Sequence, residues 1–158
     1  MDNSAILLFC GCDKTGKSTI IKEILKRTNE YICVDRFVPC QIIYGKLHKK
    51  YTPQFLQLEE FLKDSPIPFI YVHVHAATST IKQRFEEHNE TDIDINQIDL
   101  VKKEYNDYFD SHKNLPIINI NTTIFDLNLC VDYLLRRIKQ EVGRWDHYWD
   151  LVDILTIL

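Results

Sequence analysis

The chain has 158 residues, a length that suits one domain around one core. Hydrophobic residues make up 45% and charged residues 27%, an ordinary balance for a water-soluble domain. The net charge of −4 argues against bulk binding of duplex nucleic acid, and no apolar run approaches the roughly 20 residues that span a bilayer. The opening MDNSAILLFC starts acidic and shows no signal-peptide pattern. Cys10, Cys12, Cys33, Cys40 and Cys130 are odd in number and contain no C-x-x-C pair, so free thiols of a cytoplasmic protein are expected rather than disulfides or a zinc site.

Residues 5–10 are apolar and predict a first strand. Residues 11–18, GCDKTGKS, follow at once and read G-x-x-x-x-G-K-S, a phosphate-binding loop. Ile20, Ile21, Ile24 and Leu25 lie at helical spacing and predict a helix over 17–28. The motif therefore has a strand before it and a helix after it. Gly11 and Gly16 let the backbone wrap so that successive N–H groups face phosphate oxygens, and the helix N-terminus adds positive potential. The expected cradle runs from Gly11 through Cys12, Asp13, Lys14, Thr15, Gly16, Lys17 and Ser18 to Thr19. Lys17 is placed to reach the β- and γ-phosphates of ATP, and Ser18 to hold Mg²⁺.

After a turn at 29–30, residues 31–37 (YICVDRF) predict a second strand ending in Asp35 and Arg36. An acid there can serve the metal, and an arginine beside it can clamp a second phosphate. Pro39 opens a helix with Ile42, Ile43 and Leu47 inward and Lys46, Lys49 and Lys50 in water. Another helix begins near Pro53, with Phe55, Leu58, Phe61 and Leu62 as its apolar face. Residues 65–68 break it, and 69–75 predict a third strand. Its His73 and His75 share one face, either as hydrogen-bonded histidines, the favoured reading, or as a metal pair.

Thr78 or Ser79 is expected to cap the next helix, which carries Arg84. The polar stretch 86–96 (EEHNETDIDIN) has no core face and reads as part of a lid over about 86–97, closing on the transferring phosphoryl group with Arg84 nearby. Asn96 and Asp99 start a helix holding Val101, Tyr105, Tyr108 and Phe109. Residues 115–121 predict strand four. Thr123 with Asp126 starts a helix with the stripe Leu127, Val131, Leu134, Leu135 and Ile138. A final helix over about 143–158 puts Trp145, Tyr148, Trp149, Val152 and Leu155 on one stripe, which either packs on the domain or forms a homodimer face. Strands alternating with helices predict a three-layer α/β/α sandwich with about four parallel strands, in the order 2-1-3-4.

ILLFCGCDKTGKST resembles the opening of thymidylate kinases and their relatives, roughly LIxxEGxDxxGKST. VDRFVPCQIIY resembles their D-R-[YF]-x-x-S-x-x-x-Y, and IYVHVHAATSTIKQRFEE resembles their fourth segment, where an Arg sits on the helix leading to the lid. The resemblance implies a P-loop kinase that transfers the terminal phosphoryl group of ATP, with Mg²⁺, to a deoxynucleoside monophosphate, thymidylate-like acceptors being favoured. It implies that Asp13 faces the acceptor sugar, that Asp35 and Arg36 serve metal and acceptor phosphate, and that Phe37 and Tyr44 line the acceptor pocket. It places Arg84 toward the transferring phosphate and Tyr105 after the lid. The chain departs from the family pattern in several places. Only one turn separates the first helix from the D-R strand, where full-length members insert a strand and helices. Cys10 stands for an acid, Cys40 for Ser, and Lys14 for the Arg of some members. The compact form resembles phage-encoded nucleotide kinases. Two rival readings remain open: a kinase acting on a nucleoside or 5′-terminal hydroxyl with Asp35 as base, and a nucleotide-binding regulator without turnover.

Overall fold

The computed structural model describes residues 5–50, 53–88 and 93–156, with residues 146–156 described by their backbone alone. Strands β1 (Ala5–Cys10), β2 (Tyr31–Asp35), β3 (Phe69–His75) and β4 (Ile117–Asn121) form one parallel sheet in the expected order β2-β1-β3-β4. β1 lies between two strands and is apolar on both sides. Leu7 and Phe9 enter the core on one face of the sheet, and Leu8 and Cys10 enter it on the other. That double burial is why β1 reads as an unbroken apolar run rather than an alternating one.

Helices cover both faces. Helix α1 (Lys17–Arg27) contributes Ile20 and Ile24 to the first face, and α6 (Leu127–Thr156) contributes Val131, Leu134 and Ile138. Helices α2 (Val38–Leu47), α4 (Thr78–Glu87) and α5 (Ile98–Ser111) cover the second face with Ile43, Ile81, Phe85, Val101, Tyr105 and Phe109. A fully buried Ile or Val side chain contributes about 1.5–3 kcal/mol relative to exposure, enough to hold each helix in one rotation about its axis.

Several expectations are corrected. β2 ends at Asp35 rather than 37, because Arg36 turns into the left-handed region at φ +65° and leaves the sheet. β4 begins at Ile117 rather than 115: Pro116 has no N–H to add to the ladder, although its carbonyl accepts from Tyr71 N at 2.9 Å. Neither Thr78 nor Ser79 caps α4. Ala77 occupies that position, and its N–H donates to Thr123 Oγ1 at 2.6 Å. Asp94, not Asn96, starts the helical run before α5, in a capping box with Gln97 over the 3₁₀ turn Ile95–Gln97. The expected separate helix at 143–158 is the last part of α6. Gly143 lies inside the helix, on an open face where an added Cβ would meet nothing within 4 Å. Of the lid stretch at 86–97, residues 86 and 87 belong to α4 and residues 89–92 lie outside the described residues, as do the side chains of Tyr148, Trp149, Val152 and Leu155. Trp145 packs edge-on against Phe69, ring centroids 5.4 Å apart.

The largest correction concerns α3 (Gln54–Lys63). Leu58 and Phe61 face water, 38% and 72% exposed, while Glu59 is buried at 2%. The Glu59 carboxylate accepts hydrogen bonds from the hydroxyls of Tyr71 (3.0 Å) and Tyr108, and His112 Nε2 lies 3.7 Å away. Those donors replace lost hydration, so the helix turns an acid inward and leaves two apolar side chains outside. Glu59→Ala would leave two buried hydroxyls without an acceptor, each costing about 1–3 kcal/mol. Urea unfolding should show that loss for Glu59→Ala and a smaller one for Glu59→Gln, which keeps an acceptor oxygen.

Candidate active site

The site is built where β1 ends. Gly11 adopts φ +145°, and a Cβ there would stand 2.1 Å from the Val74 carbonyl oxygen, so the loop can leave β1 against β3 only with glycine. Gly16 at φ +97° closes the turn and passes the chain into α1. Inside the turn, Lys17 Nζ donates to the carbonyls of Gly11 (2.9 Å) and Cys12 (2.8 Å), and Thr15 Oγ1 donates to Cys12 O at 2.9 Å. Asp13, Thr15 and Lys17 are buried, whereas Ser18 and Thr19 are exposed at the start of the helix.

Parallel pairing brings the second motif alongside. Phe9 is in register with Asp35, and the Arg36 N–H donates to Phe9 O at 3.0 Å, so the Asp35–Arg36 turn rises beside the loop. Ser18 Oγ donates to Asp35 Oδ2 at 2.9 Å. A hydroxyl and a carboxylate meeting beside a phosphate-binding loop are the hard oxygen ligands that suit Mg²⁺. Among the described residues no group of three or more His, Cys, Asp or Glu side chains forms a metal cluster, and His73 and His75 join none.

On one flank, Arg36 Nη2 donates to Asp13 Oδ1 at 2.7 Å, and the guanidinium lies over the Tyr44 ring, 5.6 Å from its centre. Phe37 and Tyr44 are partly buried against the core that holds Cys40 and Tyr105. The Tyr44 hydroxyl is buried without a hydrogen-bond partner, the Tyr105 hydroxyl meets the Cys40 thiol, and burial pushes both tyrosine pKa values up. Beside them, burial pushes the Cys10 thiol up, while the hydrogen bond from Cys10 holds Cys40 down. All five cysteines are free.

On the opposite flank, Arg84 Nη1 donates to Lys14 O (2.9 Å) and to Thr122 Oγ1 (3.1 Å), and Nη2 to Thr122 O (3.2 Å). Thr122 Oγ1 donates in turn to Thr15 O at 2.7 Å. Arg84 therefore clasps the outer side of the loop to the end of β4, next to a cavity of about 520 Å³ bordered by Gly16, Thr19 and Asp126. Thr122 was not among the residues expected from the sequence. Its position just past a strand's carboxyl end, where ligands gather in parallel sheets, is the signal that marks it.

A second hollow, about 480 Å³, lies between the loop and α5. Its floor carries His73, stacked on Tyr105 with ring centroids 5.8 Å apart and paired through Nδ1 to Asn119 Oδ1 at 3.0 Å. Burial pushes the His73 pKa down to about 4, so its ring is neutral at pH 7.

No protein-family model matches the sequence, and no curated protein matches it. Solved structures do match by fold. A deoxyadenosine kinase from M. mycoides with bound dCTP aligns at a TM-score of 0.63 and 12% identity, over 85% of this chain and 99% of that one. The YorR protein of Bacillus subtilis, in complex with phosphorylated GDP, aligns at 0.56 and 18%, over 98% and 99%. A thymidylate kinase from Ehrlichia chaffeensis aligns at 0.50 and 13%, over 84% and 97%. The chain shares the α/β fold of these three structures.

The lowered His73 pKa carries a pH dependence. The unfolded chain binds a proton near pH 6.5 that the native state refuses until about pH 4, so stability falls as pH drops through that window. Denaturant unfolding should lose about 2 kcal/mol between pH 7 and pH 5, by the proton linkage of a shift this size. In His73→Gln that part of the slope should vanish.

Proposed function

We propose that the chain is an ATP- and Mg²⁺-dependent nucleotide kinase whose acceptor is a deoxynucleoside monophosphate, thymidylate-like acceptors being favoured. The observation that carries this reading is the meeting of two motifs 17 residues apart: Ser18 of the phosphate loop bonds Asp35, and Arg36 next to it bonds Asp13 of the same loop. Ser18 and Asp35 would hold Mg²⁺, whose chemistry there is to neutralise phosphate charge. Loop N–H groups and Lys17 bind the donor phosphates. The cavity beside Arg84 and Thr122 suits the donor base. The flank of Arg36, Phe37, Tyr44 and Tyr105 suits the acceptor.

An oxygen of the acceptor phosphate attacks the γ-phosphorus, the bond to the β-phosphate oxygen breaks, and ADP leaves. That oxygen is already a nucleophile, so the chain's task is alignment and charge neutralisation. The engagement of both nearby acids favours this acceptor: Asp35 accepts from Ser18 and Asp13 from Arg36, whereas a hydroxyl acceptor would need one of them as a base. The likeness to a deoxyadenosine kinase and a thymidylate kinase supports the kinase part of the reading, and the choice of acceptor rests on the two engaged acids.

The test is phosphoryl transfer from labelled ATP to nucleosides, their monophosphates and 5′-hydroxyl DNA, side by side at saturating ATP. Thymidine monophosphate should outpace thymidine. Faster turnover of thymidine would make Asp35 a base and the chain a hydroxyl kinase. Arg36→Ala should raise KM for the monophosphate roughly ten- to a hundredfold, since a charge-assisted contact contributes about 1.5–3 kcal/mol. Lys17→Ala should lower kcat by at least on the order of a hundredfold while circular dichroism shows the fold kept.

A further inference from the structure

The expected lid is short of positive charge. From Phe85 through Val101 the sequence contains no Lys or Arg. Arg84, just before it, spends its guanidinium on three acceptors at the outer side of the loop. Transfer of a phosphoryl group spreads charge over its peripheral oxygens, and a fixed cation there is worth a large part of the rate.

Lys102, in the first half of α5, is placed to supply that charge. It is half-buried, while its neighbour Lys103 is exposed and ion-paired with Asp107. The partner of the Lys102 ammonium is a neutral hydroxyl: Nζ donates to Thr78 Oγ1 at 2.9 Å, and Thr78 Oγ1 donates to Asp99 Oδ1 at 2.6 Å. A partly desolvated ammonium held by a hydroxyl keeps a full charge to offer to an anion. It borders the 480 Å³ hollow together with Cys12 and Thr15 of the phosphate loop, and among the described residues no other Lys or Arg lines that space. Burial is the main cause that lowers the His75 pKa and raises the Cys12 one, and the Lys102 charge adds to the first and opposes the second, so it is felt at both walls. Lys102 and Tyr105 are three residues apart on the same helix, so the cation lies one turn from the proposed acceptor pocket.

We propose that Lys102 is a catalytic residue, delivered from α5 rather than from the lid, whose ammonium leaves Thr78 and meets the oxygens of the phosphoryl group in transfer. This inference rests on the kinase reading. Its long, flexible stem allows the exchange of a hydroxyl partner for a phosphate.

The experiment compares native protein with Lys102→Met, Lys102→Gln, Lys102→Arg and Lys103→Met. Lys102→Met and Lys102→Gln should lower kcat on the order of a hundredfold with little change in either KM. Lys102→Arg should recover most of the loss, and Lys103→Met should behave as native. Calorimetric titration gives a readout that does not depend on the acceptor. Lys102→Met should weaken binding of ADP with Mg²⁺ and aluminium fluoride, and leave binding of ADP with Mg²⁺ alone near native. A kcat for Lys102→Met within twofold of native, or equal weakening of both ADP complexes, overturns the proposal. A native protein that binds ADP no better than Lys17→Ala and transfers to no acceptor overturns the kinase reading instead, and this inference with it.

Discussion

The site depends on the parallel pairing of β1 with β2. Because Phe9 stands in register with Asp35, the second strand ends level with the start of the phosphate loop, and the hydrogen bond from Ser18 to Asp35 closes the gap. Had another strand come between them, strand spacing alone would put the two side chains nearly 10 Å apart. The turn that follows is strained in a useful way. Arg36 sits in the left-handed region, which a non-glycine residue occupies at a cost, and the ion pair with Asp13 and the stack on Tyr44 offset that cost.

The two flanks of the loop, proposed as donor and acceptor sites, differ in chemistry. The Arg84 and Thr122 side is a hydrogen-bonded clasp on backbone carbonyls, which fixes the loop's outer wall. The Arg36, Tyr44 and Tyr105 side is aromatic, with a cation at its edge and the buried Tyr44 hydroxyl lacking a partner. Native interiors seldom leave such groups unpaired, and a ligand-binding pocket is one place where they do.

Much of this was legible in the sequence. The loop, the four strands and their order followed from G-x-x-x-x-G-K-S, from apolar runs separated by helical periodicity, and from the need to bring Asp35 to Ser18. What stayed hidden has physical causes. Glu59 reads as a surface acid because its two hydroxyl partners, Tyr71 and Tyr108, are 12 and 49 residues away. The start of α4 was misplaced because Thr78 spends its hydroxyl on Asp99, a partner no local rule supplies. The single long α6 is not evident from two separate apolar stripes, and Gly143 between them stands on an open face where its missing side chain costs only helix propensity, about 1 kcal/mol. Lys102 reads as a solvated side chain because its hydroxyl partner, Thr78, is 24 residues away on another helix.

In the proposed kinase the loop and the Asp35 turn form one metal-assisted triphosphate site. The decisive measurement is calorimetric titration of native protein and Asp35→Asn with a non-hydrolysable ATP analogue, with and without Mg²⁺. Mg²⁺ should tighten binding to the native protein, and Asp35→Asn should lose the Mg²⁺-dependent part while keeping metal-free binding. Native binding that is indifferent to Mg²⁺, or an Asp35→Asn protein with the full metal effect, would contradict it.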